Sequence, residues 1–272
     1  MALFSITDWD DAYANGPNIP AGDTFPPRWQ ADAAAFRAAH TVEADIPYGD
    51  RPRQKFDLLR PAGAPRGLLV FVHGGFWMRC DRTWFTHFAA GPLARGMAVA
   101  LPSYTLAPEA RISEITREVG AAVTMAASHV AGPIILAGHS AGGHLVTRQV
   151  CTDGPLGEDI AARIAQVVSI SGLHDLRPLL RLKMNETFQM DAAEAADESA
   201  ALKHPREDVH VVCYVGGTER QEFLRQNALL ANIWTGLGAK IEEITEPDRH
   251  HFDVLDGLRH AEHPLTTFVS LG

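Results

Sequence analysis

A chain of 272 residues, 46% apolar and 21% charged, is long enough to bury a full core and lies near the soluble globular average, away from disordered and membrane classes. Its formal charge of −9 is spread without a basic block, which argues against nucleic acid or an anionic membrane as partner. The opening MALFSITDWDDAYANG has acidic residues where a signal peptide needs positive ones, and no run of about 18 apolar residues follows, so a cytoplasmic location is expected.

In chain order, a Pro- and Gly-punctuated opening (Gly16-Pro17, Pro20, Pro26-Pro27) leads to residues 42–46 and 54–59. Their period-two alternation predicts half-exposed edge strands paired as an antiparallel hairpin. Residues 67–72 (GLLVFV), 97–101 (MAVAL), 134–137 (IILA), 166–170 (QVVSI) and 210–215 (HVVCYV) are nearly all apolar, as in strands buried on both faces, and 240–244 closes the set as an edge strand. Between them, 82–95, 112–130, 140–151 and 220–237 each predict a helix, with 252–271 completing the chain. This alternation specifies an α/β architecture, a mostly parallel sheet of about eight strands with helices on both faces. Two segments break it, 1–40 and 173–206, the second carrying LRPLLRLKMNETF and MDAAEAADESAALKH as two short amphipathic helices. Both are expected to form a small cap over the strand ends, where ligands bind in open α/β sheets, within a single domain spanning 1–272.

Residues 134–143, IILAGHSAGG, run from a buried strand through G-x-S-x-G into a helix. A nucleophilic serine must stand on a strained turn whose neighbours lack side chains, so Ser140 is the candidate nucleophile and the α/β-hydrolase fold is expected. His73-Gly74-Gly75-Phe76-Trp77 leaves the strand 67–72 earlier in the chain, where the other half of an oxyanion hole belongs. The amides of Gly74 and Gly75, with that of Ala141, are the candidate donors, and Phe76, Trp77 and Trp84 are candidates for an aromatic pocket.

A serine hydroxyl needs a base, and the base needs a carboxylate to hold its tautomer. Glu219 follows the strand 210–215 by a short Gly-rich turn, where the orienting acid belongs in this fold. Glu222 is its local rival, read as a solvated first-turn glutamate. The polar turn 246–253 (EPDRHHFD) should supply the base, and spacing alone does not choose between His250 and His251. A metal reading of His250, His251 and Asp253 lacks a ligand spacing such as HExxH, so neither metal nor cofactor is expected. His139 and His144 flank the elbow without a required role. The three cysteines, Cys80, Cys151 and Cys213, are widely spaced and form no CxxC pair; buried, unreactive thiols are expected.

Together these pieces resemble the kynurenine formamidase (arylformamidase) branch of the α/β hydrolases, near the hormone-sensitive-lipase-like esterases. HGGFW resembles that branch's HGGYW, and SYTLAPE at 103–109 its Y-x-L-x-P segment. GHSAGGHL at 138–145 matches the elbow, SGLHDLRPLL at 171–180 resembles SG-x-x-DL-x-PL, and Asn185-Glu186 echoes an Asn-Glu pair beyond it. Glu219 falls where the branch usually carries Asp, and its HFD ending falls on His251-Phe252-Asp253, which favours His251 over His250. The resemblance implies hydrolysis of an N-formyl aromatic amide of the N-formylkynurenine type, a step of tryptophan catabolism, by Ser140, Glu219 and His251 through a formyl-enzyme. A carboxylesterase acting on short acyl esters is the alternative, since the same residues serve both reactions. Arg79 or Asn185 is expected to meet the amino-acid end of such a substrate. The expected partner is a small molecule, and a homodimer stays open.

Overall fold

The computed structural model describes residues 5–271, so the first four positions of the segment 1–40 lie outside it. Eight strands form one sheet: β1 (Glu43–Pro47), β2 (Lys55–Leu59), β3 (Gly67–Val72), β4 (Met97–Pro102), β5 (Ile134–His139), β6 (Ile164–Ile170), β7 (His210–Gly216) and β8 (Lys240–Glu246). Their order is β1-β2-β4-β3-β5-β6-β7-β8. β1 pairs antiparallel with β2 and β2 with β4, and every other pairing is parallel. The continuous apolar runs are buried for the expected reason: β3, β4 and β5 are covered at every residue. Successive β3 side chains feed opposite layers. Leu68, Val70 and Val72 pack with Ile112, Ile115 and Val119 of the helix Ile112–His129. Leu69 and Phe71 pack with Trp29, Phe85 and Leu265 on the other side.

Three expectations are corrected. β2 is no half-exposed edge, because it lies between β1 and β4 with Phe56 to Leu59 buried. Its Asp57 is tolerated there by ion pairs to Arg37 and Arg82, both remote in sequence. The helix expected at 82–95 is two 3-10 turns and a short helix, Ala90–Ala94, which contains Gly91 and Pro92. The last segment is likewise a 3-10 stretch, Asp253–Arg259, followed by Pro264–Phe268. Conversely, the Pro-rich opening holds a 15-residue helix, Phe25–Ala39. Pro26 and Pro27 occupy its first turn, where a missing N–H costs nothing, and Phe25, Trp29 and Ala33 form its buried stripe.

Segment 173–206 is a chain of short pieces, including Asn185–Phe188 and Ala192–Asp197. No helix among the described residues is long and apolar enough to cross a membrane.

Candidate active site

β5 ends at His139, and the helix Ala141–Arg148 begins two residues later, so the whole turn falls on Ser140. Its backbone sits at φ 56°, ψ −117°, a conformation unfavourable for a residue with a Cβ. The turn closes because its neighbours have no side chains. A Cβ on Gly138 would lie 2.2 Å from the Gly142 carbonyl oxygen, and one on Gly142 would lie 2.0 Å from that of Val72. The Ser140 amide donates to the Ile170 carbonyl at 2.8 Å, fixing the elbow to β6. Its hydroxyl forms no hydrogen bond among the described residues, and Ser140 borders a cavity of about 800 Å³ together with His251.

The acid and the base arrive from the two adjoining strand ends. Gly217 donates its N–H to the Glu246 carbonyl at 2.7 Å and Thr218 to the Arg249 carbonyl at 2.9 Å, which zips the loop after β7 to the loop after β8. Gly216 permits this approach, because a Cβ there would meet the Arg249 oxygen at 2.4 Å. The outcome is a buried pair, with Glu219 Oε2 2.6 Å from His251 Nδ1. Glu219 Oε1 accepts from the Gly216 amide at 2.9 Å and from the Ser171 hydroxyl. The carboxylate is thereby held from both sides, and the proton is placed on Nδ1, leaving Nε2 free to act as a base. His139 donates from Nε2 to the His251 carbonyl at 2.8 Å, and burial keeps it neutral by pushing its pKa well down. A residue without an expected role thus positions the base.

The two local rivals are occupied elsewhere. His250 Nδ1 accepts from the amides of Phe252 and Asp253 at 3.1 and 3.2 Å, closing its turn. Glu222 is not solvated: it is 5% exposed, accepts from the Tyr13 hydroxyl at 2.7 Å and pairs with Arg225. The HGG loop lies directly against the elbow, since a Cβ on Gly74 would approach Ser140 Cβ to 3.0 Å. Gly75 (φ 105°) turns the chain, and the Tyr104 hydroxyl donates to the His73 carbonyl at 3.0 Å to hold the loop. His73 itself is sandwiched between the rings of Phe85 and Tyr104, where burial pushes its pKa down to about 4. Gly74 and Gly75 border the cavity, and Ala141 opens the helix, whose first amides have no intrahelical acceptor.

Residues 69–238 match the family model described as alpha/beta hydrolase fold, a span that holds the elbow, the HGG loop and Glu219. The chain belongs to the α/β-hydrolase family. A kynurenine formamidase from Danio rerio is 27% identical over 269 residues, covering 93% of this chain and 90% of that one. An isoprenylcysteine alpha-carbonyl methylesterase from Arabidopsis thaliana is 27% identical over 152 residues, covering 52% of this chain and 36% of its own. A crystal structure from Silicibacter sp. TM1040, provisionally described as a thioesterase, superposes with a TM-score of 0.93 at 47% identity, covering 96% of this chain and 98% of that one. The resemblance read from the motifs therefore holds, and the chain is a hydrolase.

The hydrolase's cavity departs from the expected pocket. Phe76 borders it, and so does Arg79. Trp77 does not: it is fully buried, edge-on to Phe188 and His144, because Gly75, Phe76 and Trp77 all have positive φ and the chain curls away from Ser140. Asn185 is also absent from the wall. Its amide hydrogen-bonds the backbone of Met190 in both directions, at 3.0 and 3.1 Å, closing a local turn. Trp84 packs into the core on the helix 25–39 side of the sheet. The opposite wall belongs to the N-terminal segment, with Tyr13, Asn15 and Trp29, joined by Phe85 and Phe252; from 173–206 only Met184 reaches it among the described residues. Cys151 and Cys213 are buried as expected, whereas Cys80 is half-buried and borders the cavity, its thiol pushed up to about 12 by burial.

Proposed function

We propose that the hydrolase cleaves an N-formyl aromatic amide of the N-formylkynurenine type, releasing formate and the free amine. The observation that carries this reading is the cavity itself, where Ser140 and His251 face aromatic walls (Trp29, Phe76, Phe85 and Phe252) with exposed Asp23 and Arg79 at its border. An aromatic ring fits the former, and the ammonium and carboxylate of an amino-acid end fit the latter. Likeness to the zebrafish kynurenine formamidase over 93% of the chain supports it.

His251 Nε2 takes the Ser140 proton as Oγ adds to the formyl carbon, and the resulting oxyanion is met by the amides of Gly74, Gly75 and Ala141. The C–N bond breaks as protonated His251 delivers its proton to the departing nitrogen, leaving a formyl ester on Ser140. Water, deprotonated by His251, adds to that ester, and formate leaves as Oγ recovers the proton. Glu219 keeps the imidazole oriented and stabilises its cationic form throughout. No cofactor enters any step.

Ester or thioester hydrolysis is the second reading, favoured by the 47% identical neighbour described as a thioesterase. Turnover of N-formylkynurenine, p-nitrophenyl acetate and an aryl thioester, measured side by side, separates the two. A kcat/KM for the formamide at least tenfold above the others is expected; turnover of the ester or thioester alone sinks the formamidase reading.

A further inference from the structure

The end of β6 holds both the nucleophile and the acid. The Ile170 carbonyl accepts from the Ser140 amide at 2.8 Å, and the next residue, Ser171, gives its hydroxyl to Glu219 Oε1. Ser171 is fully buried and does not border the cavity, so its hydroxyl serves the carboxylate and meets no substrate. Its backbone stands at φ 54°, where a glycine is free and a residue with a Cβ is strained. The turn is tight on either side. The Ser171 amide donates to the Tyr214 carbonyl at 2.6 Å, and a Cβ on Gly172 would stand 2.1 Å from Ser169 Oγ. This position favours glycine, yet it carries a serine whose hydroxyl is spent on the acid.

The use of that hydroxyl follows from the length of the acid. A glutamate has one more torsion than an aspartate, and its last torsion is soft, so its carboxylate wanders unless something outside its own loop holds it. Two of the contacts on Glu219 cannot do this. The Gly216 amide, 2.9 Å from Oε1, belongs to the same turn, which the Glu219 amide closes on the Gly216 carbonyl at 3.2 Å. His251 Nδ1, 2.6 Å from Oε2, is the group to be oriented. Among the described residues the Ser171 hydroxyl is the remaining hydrogen bond to the carboxylate, and it comes from the strand end that also fixes Ser140.

We propose that Ser171 is a positioning residue: its hydroxyl locks the extra torsion of Glu219, so that the acid, His251 and the nucleophile are all referred to one strand end. The proposal rests on Ser140, Glu219 and His251 acting together. It goes beyond the formamidase reading, since it holds for any acyl group the site accepts.

The test uses Ser171→Gly, which deletes the hydroxyl and suits the positive φ, both alone and combined with Glu219→Asp, which removes the torsion in question. The rate at which a fluorophosphonate labels Ser140 is read first, because it needs neither formamide nor ester. Ser171→Gly labels about tenfold more slowly than wild type and loses about tenfold in kcat at constant KM, with melting within a few degrees of wild type. On the Glu219→Asp background the same deletion costs less than about twofold, the non-additivity expected of groups that act through one another. Unchanged labelling in folded Ser171→Gly overturns the proposal. So does a tenfold loss repeated on Glu219→Asp, because a merely structural hydroxyl would matter equally for either acid. Should Glu219→Asp label too slowly to compare, the division between kcat and KM decides, equal changes in both overturning the role. Ser171→Ala, which keeps the Cβ, gives the same pattern and replaces Ser171→Gly if that variant does not fold. If N-formylkynurenine is not hydrolysed, the formamidase reading fails while the labelling rates still decide the role of Ser171.

Discussion

On the strand side of the cavity, Glu219 and Nδ1 of His251 are closed into a set of short bonds from Gly216 and Ser171, whereas on the side formed by residues 10–29 the side chains of Asn15 and Trp29 leave buried atoms unpaired. The family match spans residues 69–238, so Ser140, Glu219 and the HGG loop fall inside it, while His251 and the N-terminal wall lie outside. The difference separates two tasks. Groups that must meet developing charge are pre-paired and rigid, since reorganisation during the reaction would raise the barrier. On the formamidase reading, the N-terminal wall has the other task, shaping the cavity around the substrate.

The largest effects should come from breaking the strand side. Ser140→Ala is expected to lower kcat by about 10^5–10^6-fold and to abolish labelling by a fluorophosphonate, while circular dichroism and melting remain native-like. A folded variant losing less than tenfold would remove Ser140 from the reaction. Glu219→Gln keeps the size and loses the charge, and kcat should fall by about 10^3–10^4-fold because the imidazolium loses its counter-ion and the tautomer its guide. An equal rise in KM with unchanged kcat would instead assign Glu219 to binding.

The strand side was also the legible side. G-x-S-x-G, HGG and the order serine, acid, histidine are local signals, and each needs glycines for close approaches that the structure shows at Gly138, Gly142 and Gly74. His251 over His250 needed the family likeness, since adjacent histidines differ only in which way the turn after β8 points them. The N-terminal wall carried no such mark. Pro26-Pro27 punctuate the opening without announcing a helix, although prolines in a first turn open a helix as readily as they end one. Asp57 made β2 look exposed, because its partners Arg37 and Arg82 are about 20 and 25 residues away in sequence and only tertiary pairing neutralises it. Trp77 was misplaced by a run of positive φ that composition does not announce.

Acid should sharpen the contrast, because residues 5–39 contain no histidine while the strand side buries several. Burial lowers His73 to about 4 and both His144 and His174 to about 3. Below the ordinary value of about 6.5 the unfolded chain takes up these protons and the folded one does not, so stability falls as pH drops from about 6.5 toward 3, by about 1.4 kcal/mol per pH unit for each histidine. His174 sits between the hydroxyls of Ser169 and Thr147, at 3.2 and 3.4 Å. His174→Gln should therefore reduce the loss of urea stability between pH 7 and pH 5 by about 2 kcal/mol. An unchanged difference would mean that His174 takes up its proton over the same pH range in the folded protein as in the unfolded chain.

The smallest expected effect tests whether the N-terminal wall is a separate module. The Tyr13 hydroxyl donates to Glu222 and accepts from Gln226 at 3.3 Å, tying the segment to the helix Gln221–Gly236. Tyr13→Phe leaves Glu222 paired with Arg225, so the loss should be about 1 kcal/mol and a Tm lower by about 2–4 °C. If the segment acts on binding alone, the loosened wall raises KM by roughly this same energy, about fivefold, with kcat nearly intact. A fall in kcat at constant KM would mean instead that Tyr13, acting through Glu222 and the start of its helix, reaches the neighbouring Glu219. The two walls would then be one mechanical unit, with selection and chemistry no longer assignable to different parts of the chain.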